Sequence, residues 1–225
     1  MFKAVAIADI HGSLAYFKKL ISYIRENAVN HIFVAGDIAT DRDKVTFNRV
    51  IKALSSIGVK IFYVTGEADP EKPQNTVWNN IFNLEHNHFN INENIIYGLP
   101  PSLDYELKIP IERKVKAHVE KLGEEVGSNK IEKCIILSHI PPYGTKVDKD
   151  PLRGNIGSVE LRSFIERKRP LAVICGHVHT GLGIDNVKTT LIINPGPFRR
   201  GYYAELIVSA EKHIVIKLNR FTPPF

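Results

Sequence analysis

Short apolar runs alternate, over the first two thirds of the chain, with stretches in which apolar residues return every three or four positions. Residues 3 to 8 form an almost continuous apolar run, and Leu14, Phe17, Ile21 and Ile24 follow at helical spacing. The run His31-Ile32-Phe33-Val34-Ala35 predicts a second strand, and Phe47, Val50, Ile51 and Leu54 predict a second helix. Ile61-Phe62-Tyr63-Val64 is a third strand. Further on, Ile111, Val115, Val119 and Leu122 follow Pro110, a residue suited to a helix start. Ile135 to Leu137 and Leu171 to Cys175 are two more strands, separated by a long loop (140–157) and a helix carrying Leu161, Phe164 and Ile165, with Ser158 placed to cap it. Apolar strands alternating with amphipathic helices predict an α/β fold whose sheet is covered on both faces and is partly parallel. The Asn-rich stretch 74–94 predicts a short helix around Trp78, Ile81 and Phe82, then a turn at Asn92-Glu93-Asn94. After Gly183 the runs 190–193, 202–208 and 214–218 lack helices between them, which predicts antiparallel pairing.

The polar residues at the strand ends carry the chemistry. Asp9-Ile10-His11, Gly36-Asp37, Gly66-Glu67-Ala68-Asp69, Ser138-His139 and Gly176-His177-Val178-His179 each stand where an apolar run stops. Any one of these strings alone reads as a turn acid or a solvated histidine. Together they deliver carboxylates and imidazoles to one rim, the donor set of Mn²⁺, Fe, Co or Zn²⁺ rather than of Mg²⁺. One carboxylate lying between two cations can bridge them at about 3.5 to 4 Å, the separation used in phosphoester hydrolysis. Asp41 and Asp43 read as acids flanking a helix and Asp69 as a turn group or a support behind the ligands. His31, His86, His88, His118 and His213 lack the strand-end setting and read as structural or exposed.

Composition narrows the context. The 225 residues fit one domain spanning 1–225, long enough to need neither disulfides nor a structural metal. Cys134 and Cys175 lie inside apolar runs and read as buried free thiols, which suits a reducing cytoplasm. The apolar N-terminal run is interrupted by Asp9 with no cleavage site after it, so it does not read as a secretory leader. No apolar stretch approaches the ~18 residues of a membrane span. A net charge of +6 favours anionic ligands, but the basic residues are scattered rather than gathered on a face, so a nucleic-acid partner is not favoured. Arg199 and Arg200, close after Asn194-Pro195-Gly196, and Arg153, in the loop after His139, are candidates to hold a substrate phosphate.

The order DxH, GD, Gly-x-x-Asp, lone His and GHxH over residues 9 to 179 resembles the calcineurin-like metallophosphoesterase superfamily. The segment from Ser138-His139 through Pro141-Pro142-Tyr143-Gly144 to GHVH, followed by Asn194-Pro195-Gly196, is similar to its small Icc-related phosphoesterases. The resemblance implies a four-layer αββα sandwich of two mixed sheets flanked by helices. It implies that Asp9, His11, Asp37 and His179 hold a first metal and that Asp37, Glu67, His139 and His177 hold a second. Asp37 and His139 would be catalytic, Asp37 bridging. Two divalent cations, Mn²⁺ first and Fe, Co or Zn²⁺ as alternatives, would share a hydroxide for in-line attack on phosphorus in a small phosphate ester.

Two positions depart from the family pattern. Where members usually carry Asn as a ligand the chain has Glu67, whose added charge makes a centre of two cations, three carboxylates and one hydroxide neutral. Where members carry a His that assists the leaving group the chain has Ala68, which has no proton to give. A nuclease of the same superfamily, and a scaffold that keeps the fold for protein contacts, are the alternative functions. A protein phosphatase fits poorly, because Asp41-Arg42 falls one position beyond the place of that branch's Asp-Arg pair.

Overall fold

The computed structural model describes residues 1–71, 79–85, 87–99, 111–127, 130–209 and 213–223. In chain order the elements are β1 (Phe2–Ile7), α1 (Phe17–Glu26), β2 (His31–Ala35), α2 (Lys44–Ser55), β3 (Lys60–Val64), β4 (Ile81–Asn83), β5 (His88–Ile91), β6 (Asn94–Gly98), α3 (Ile111–Val126), β7 (Cys134–Leu137), β8 (Lys149–Asp150), β9 (Gly154–Asn155), α4 (Val159–Lys168), β10 (Ala172–Ile174), β11 (Gly183–Val187), β12 (Thr190–Asn194), β13 (Tyr202–Val208) and β14 (Ile214–Arg220).

Side-chain alternation along the strands sorts the apolar residues into layers. In β1, β2 and β3 one set, Val5, Ile7, Ile32, Val34, Ile61 and Tyr63, packs with Phe17, Leu20 and Ile24 of α1 and Phe47, Val50 and Leu54 of α2. The alternate set, Ala4, Ala6, Phe33, Ala35, Phe62 and Val64, faces Ile96, Ile135, Leu137, Ala172, Ile174 and Ile193 of a second sheet. The outer residues of that sheet, among them Tyr97, Ile136, Val173 and Ile192, bury against Val115, Val119 and Leu122 of α3 and Leu161, Phe164 and Ile165 of α4. Four layers result, αββα, because each sheet is apolar on both faces.

Both sheets have six strands. The first runs β14-β13-β1-β2-β3-β4 and the second β11-β12-β10-β7-β6-β5. Strands β1 to β4 are mutually parallel, as are β6, β7, β10 and β12; β13 runs antiparallel to both its neighbours, β1 and β14, and β5 and β11 run antiparallel at the two edges of the second sheet. The parallel strands therefore send their carboxyl ends to one rim, the place where open α/β sheets bind ligands.

Local signals act where the chemistry requires. Asp43 caps α2, its carboxylate accepting from the amides of Val45 at 3.1 Å and Thr46 at 2.8 Å. Ser158 caps α4 by accepting from the Leu161 amide at 3.0 Å. Each such cap stabilises its helix by about 1 kcal/mol. Two expectations need correction. Ile81 and Phe82 lie in strand β4, not a helix, because they complete the edge of the first sheet beside Ile61 and Phe62; Trp78 lies outside the described residues, as do His86 and Pro110. The last quarter is not uniformly antiparallel, since β12 pairs parallel with β10 while β11 returns along its other side. Among the described residues no helix is long and apolar enough to cross a membrane.

Candidate metal centre

Backbone hydrogen bonds between the loops build the rim before any side chain is placed. The Asp9 amide donates to Gly36 O at 3.1 Å, the His11 amide to Asp37 O at 2.9 Å and the Gly12 amide to Ile38 O at 2.9 Å, so the loops after β1 and β2 run zipped together. Across the sandwich the Gly176 amide donates to His139 O at 3.0 Å, joining the loops after β7 and β10. The cost shows in the backbone, where Asp9, His11, Asp37 and His177 all hold φ between 45° and 68°. Left-handed backbone costs a residue with a side chain roughly 1–2 kcal/mol, and such positions gather at functional sites.

These loops bring seven side chains into two groups. In the first, Asp9, His11, Asp37 and His179 offer ligand atoms within 4.8 Å of one another. His11 Nε2 stands 3.1 Å from His179 Nε2 and 3.5 Å from Asp37 Oδ2, and His179 Nε2 stands 3.5 Å from Asp9 Oδ1. In the second group Glu67 reaches His139 Nε2 with one oxygen at 2.9 Å and His177 Nδ1 with the other at 2.6 Å. Asp37, of the first group, also lies beside the second: its Oδ1 stands 3.5 Å from His139 Nε2 while its Oδ2 faces His11.

The donor set fits divalent cations. Asp9 Oδ2, Glu67 Oε2, His139 Nε2 and His177 Nδ1 are buried and lack an aligned hydrogen-bond partner, although several lie close to one another. Buried polar atoms in that state call for an explanation, and lone pairs converging without alignment are what a shared cation would use. His139 is already oriented to coordinate. Its Nδ1 lies 2.8 Å from Ala35 O, an acceptor only, so Nδ1 carries a proton and Nε2 is the nitrogen turned inward.

The clustered carboxylates and imidazoles shift one another's ionisation. Burial opposes ionisation of Glu67, but the His139 charge and the close approach of the His139 and His177 ring nitrogens outweigh it and hold the carboxyl below the usual range. For Asp9, burial is likewise outweighed by His179, His139 and His11. Burial would lower His139, yet Asp37, Glu67 and Asp9 raise it well above an ordinary imidazole. His11 goes the other way, because burial lowers it more than Asp37 and Asp9 raise it.

Glycine before a ligand leaves room for a ligand from another strand. A Cβ on Gly36 would collide with the His139 ring, and one on Gly66 with the Asp37 carboxylate. Other residues support the ligands from behind. Asp69, expected as a turn group or as such a support, is buried and accepts from the amides of Ala39 at 2.6 Å and Gly66 at 2.9 Å; burial pushes it up to about 7. The Ala68 amide donates to Asp37 Oδ1 at 2.9 Å and fixes that oxygen. Asn194 braces the GHVH loop, donating to Val178 O at 3.0 Å while accepting from the Gly196 amide at 2.9 Å. The tripeptide Asn194-Pro195-Gly196 is the sequence signal for that brace.

The three candidate arginines separate. Arg199 reaches the centre, its Nη2 lying 3.1 Å from His179 Nδ1. Arg200 is exposed, and its carbonyl accepts from Arg220 Nε at 3.1 Å. Arg153 is paired with Asp150 at 3.4 Å beside the β8–β9 hairpin, with its side chain 65% exposed.

Residues 2–181 match the model of the calcineurin-like phosphoesterase family. The chain belongs to that family. It is a hydrolase of phosphoric esters, and the family uses divalent metal ions of the kind that the two groups could hold. An uncharacterized protein of Methanocaldococcus jannaschii is 25% identical over 95% of this chain and 94% of its own. A probable cyclic nucleotide phosphodiesterase of Colwellia psychrerythraea is 22% identical over 82% of this chain and 69% of its own. The structure of a dimetal phosphatase from Danio rerio superposes with a TM-score of 0.71 over 97% of this chain and 96% of that one, at 14% identity, and shares the fold. The four layers expected from the resemblance are those of the family.

Proposed function

We propose that the chain, as one domain spanning 1–225, hydrolyses small phosphate esters at a centre of two divalent cations. The observation that carries this reading is Asp37, whose two carboxylate oxygens face different ligand groups. Asp9, His11, Asp37 and His179 would hold one cation and Asp37, Glu67, His139 and His177 the other. Bound there, the cations would neutralise phosphate oxygens and acidify a water toward ~7 for in-line attack on phosphorus. Mn²⁺ is the first choice, with Fe, Co or Zn²⁺ able to use the same donors.

The chain's own residues set the rest. Asp37 and His139 keep the two groups in register, His139 through its bond to Ala35 O. Glu67 supplies a negative charge and so makes the centre less attractive to an anion than a neutral amide would. Ala68 gives no proton to a departing alkoxide, so esters with good leaving groups are favoured. Arg199, at the mouth, is the basic residue best placed for a phosphate; Arg200 and Arg153 are secondary candidates. The buried free thiols of Cys134 and Cys175 support a reducing compartment, the cytoplasm.

Metal analysis of the purified chain, combined with hydrolysis of bis-p-nitrophenyl phosphate in Mn²⁺ and in chelator, tests the proposal. Two cations per chain and chelator-sensitive turnover are expected. Turnover at the level of buffer in saturating Mn²⁺ would remove it and favour a scaffold.

A further inference from the structure

Arg199 meets the candidate centre in an unusual way. It lies on the 3₁₀ turn Phe198–Arg200, whose backbone is fastened to the first strand's end: the Phe198 amide donates to Ala8 O at 2.8 Å and the Arg199 amide to Asp9 O at 3.4 Å. Phe198 is fully buried, so the turn is anchored while the Arg199 side chain remains exposed. Its Nη2 then lies 3.1 Å from His179 Nδ1.

A guanidinium has five N–H donors and no acceptor, and it stays charged. His179 Nδ1 must therefore supply the lone pair. A neutral imidazole in that contact carries its single proton on Nε2, the atom that stands 3.1 Å from His11 Nε2 and 3.5 Å from Asp9 Oδ1. This is the reverse of His139, whose Nδ1 donates to a carbonyl, the arrangement that suits coordination through Nε2. At His179 a guanidinium instead takes up the lone pair of the nitrogen that would carry the proton when a cation is bound.

We infer that Arg199 competes with the first cation for His179, and that loading the cation releases the guanidinium to hold the substrate's phosphate. The inference rests on the two-cation reading above. Loading requires the Nε2 proton to leave to water while Nδ1 takes one up, with no net change in protons on the ring. A protonated Nδ1 then repels the guanidinium's N–H groups, and Arg199 swings out. Because its backbone stays tied to Asp9, the freed guanidinium remains at the mouth, able to pair with a phosphate through two parallel hydrogen bonds. Arg199 is thus a positioning residue for His179 before loading and a phosphate ligand after it.

The test uses the metal-free full chain and three proteins: wild type, Arg199→Met and Arg199→Gln. Calorimetric titration with Mn²⁺ should show the first-group cation bound about tenfold tighter by Arg199→Met. Arg199→Gln should bind at least as tightly, since its amide oxygen can accept a proton from Nδ1. Inorganic phosphate should tighten Mn²⁺ binding more in the wild type than in Arg199→Met. Nitrogen-15 spectra of labelled histidine should place the His179 proton on Nε2 in the metal-free wild type and on Nδ1 in Arg199→Gln. Two cations bound with equal affinities by wild type and Arg199→Met, or an Nδ1 proton in the metal-free wild type, would overturn the inference and leave the metal centre standing. Absence of Mn²⁺ binding by all three proteins would overturn the centre itself, and the inference with it.

Discussion

His139 and His179 belong to different ligand groups of one centre, and they are held by contrary means. The His139 side chain is fully buried, is pinned by the Ala35 carbonyl and touches Glu67; that of His179 is 29% exposed and is faced by a guanidinium. The contrast extends to protons, since His139 is raised well above an ordinary imidazole and His11 is lowered. On the two-cation reading, the second group, its geometry set by buried acceptors, would give up a proton from His139 to a cation, whereas the first would lose none from His11 and would displace a guanidinium from His179. A two-cation site on this fold can have halves that differ in how each is made ready, although their donor types match.

The severest way to break that comparison is to remove what the halves share. Asp37→Ala should lower occupancy in both groups and reduce turnover of bis-p-nitrophenyl phosphate about 10³-fold, the scale lost with a preorganised stabiliser of transition-state charge. Metal analysis reading one cation lost and one retained at full affinity would show that Asp37 serves a single group. A smaller effect is expected from Glu67→Gln, which touches the second group alone. Its Mn²⁺ affinity should fall on the order of 10²-fold while that of the first group changes little; equal losses in both would dissolve the distinction between them.

Ala68→His probes the open side of the centre. A positioned general acid contributes about 10² to 10⁴ in rate, and a grafted imidazole with no partner to orient it should recover only about tenfold, on alkyl phosphodiesters and not on aryl ones. Equal turnover by both proteins on an alkyl substrate would show that leaving-group protonation is not what Ala68 lacks.

Much of this arrangement can be read in the sequence, for a physical reason. Strands buried on both faces are continuous apolar runs, so their ends stand out, and the residues just beyond β1, β2, β3, β7 and β10 are the seven that meet at the rim. Strand β4 escapes such a reading because Ile81-Phe82 is too short to show a period, and its identity comes from the sheet edge it completes. The parallel pairing of β12 is equally illegible, because strand direction is set by the path of the chain and not by local pattern. Contacts such as Arg199 with His179, or Asp69 with the Ala39 amide, join residues far apart in sequence and leave no local trace.

The subtlest expected effect is in how the halves respond to pH. Below an ordinary imidazole's pKa near 6.5, His139 in the metal-free protein is protonated, and because its pKa is raised it stays so over a range above that value. A cation entering the second group must expel that proton, so the apparent affinity rises with pH, by at most about tenfold per unit for one proton, until the raised pKa is passed. His11, lowered by burial, has already lost its proton in the same range and asks for no such exchange. Between pH 6 and 8 the second group's Mn²⁺ affinity should therefore climb more steeply than the first's, by up to about tenfold per unit. Titrations at three pH values, repeated in buffers of different ionisation enthalpy, count the protons released with each cation. Equal slopes for the two groups would mean that the carboxylates around His139 do not hold a proton where the cation binds, and that the halves differ in geometry alone.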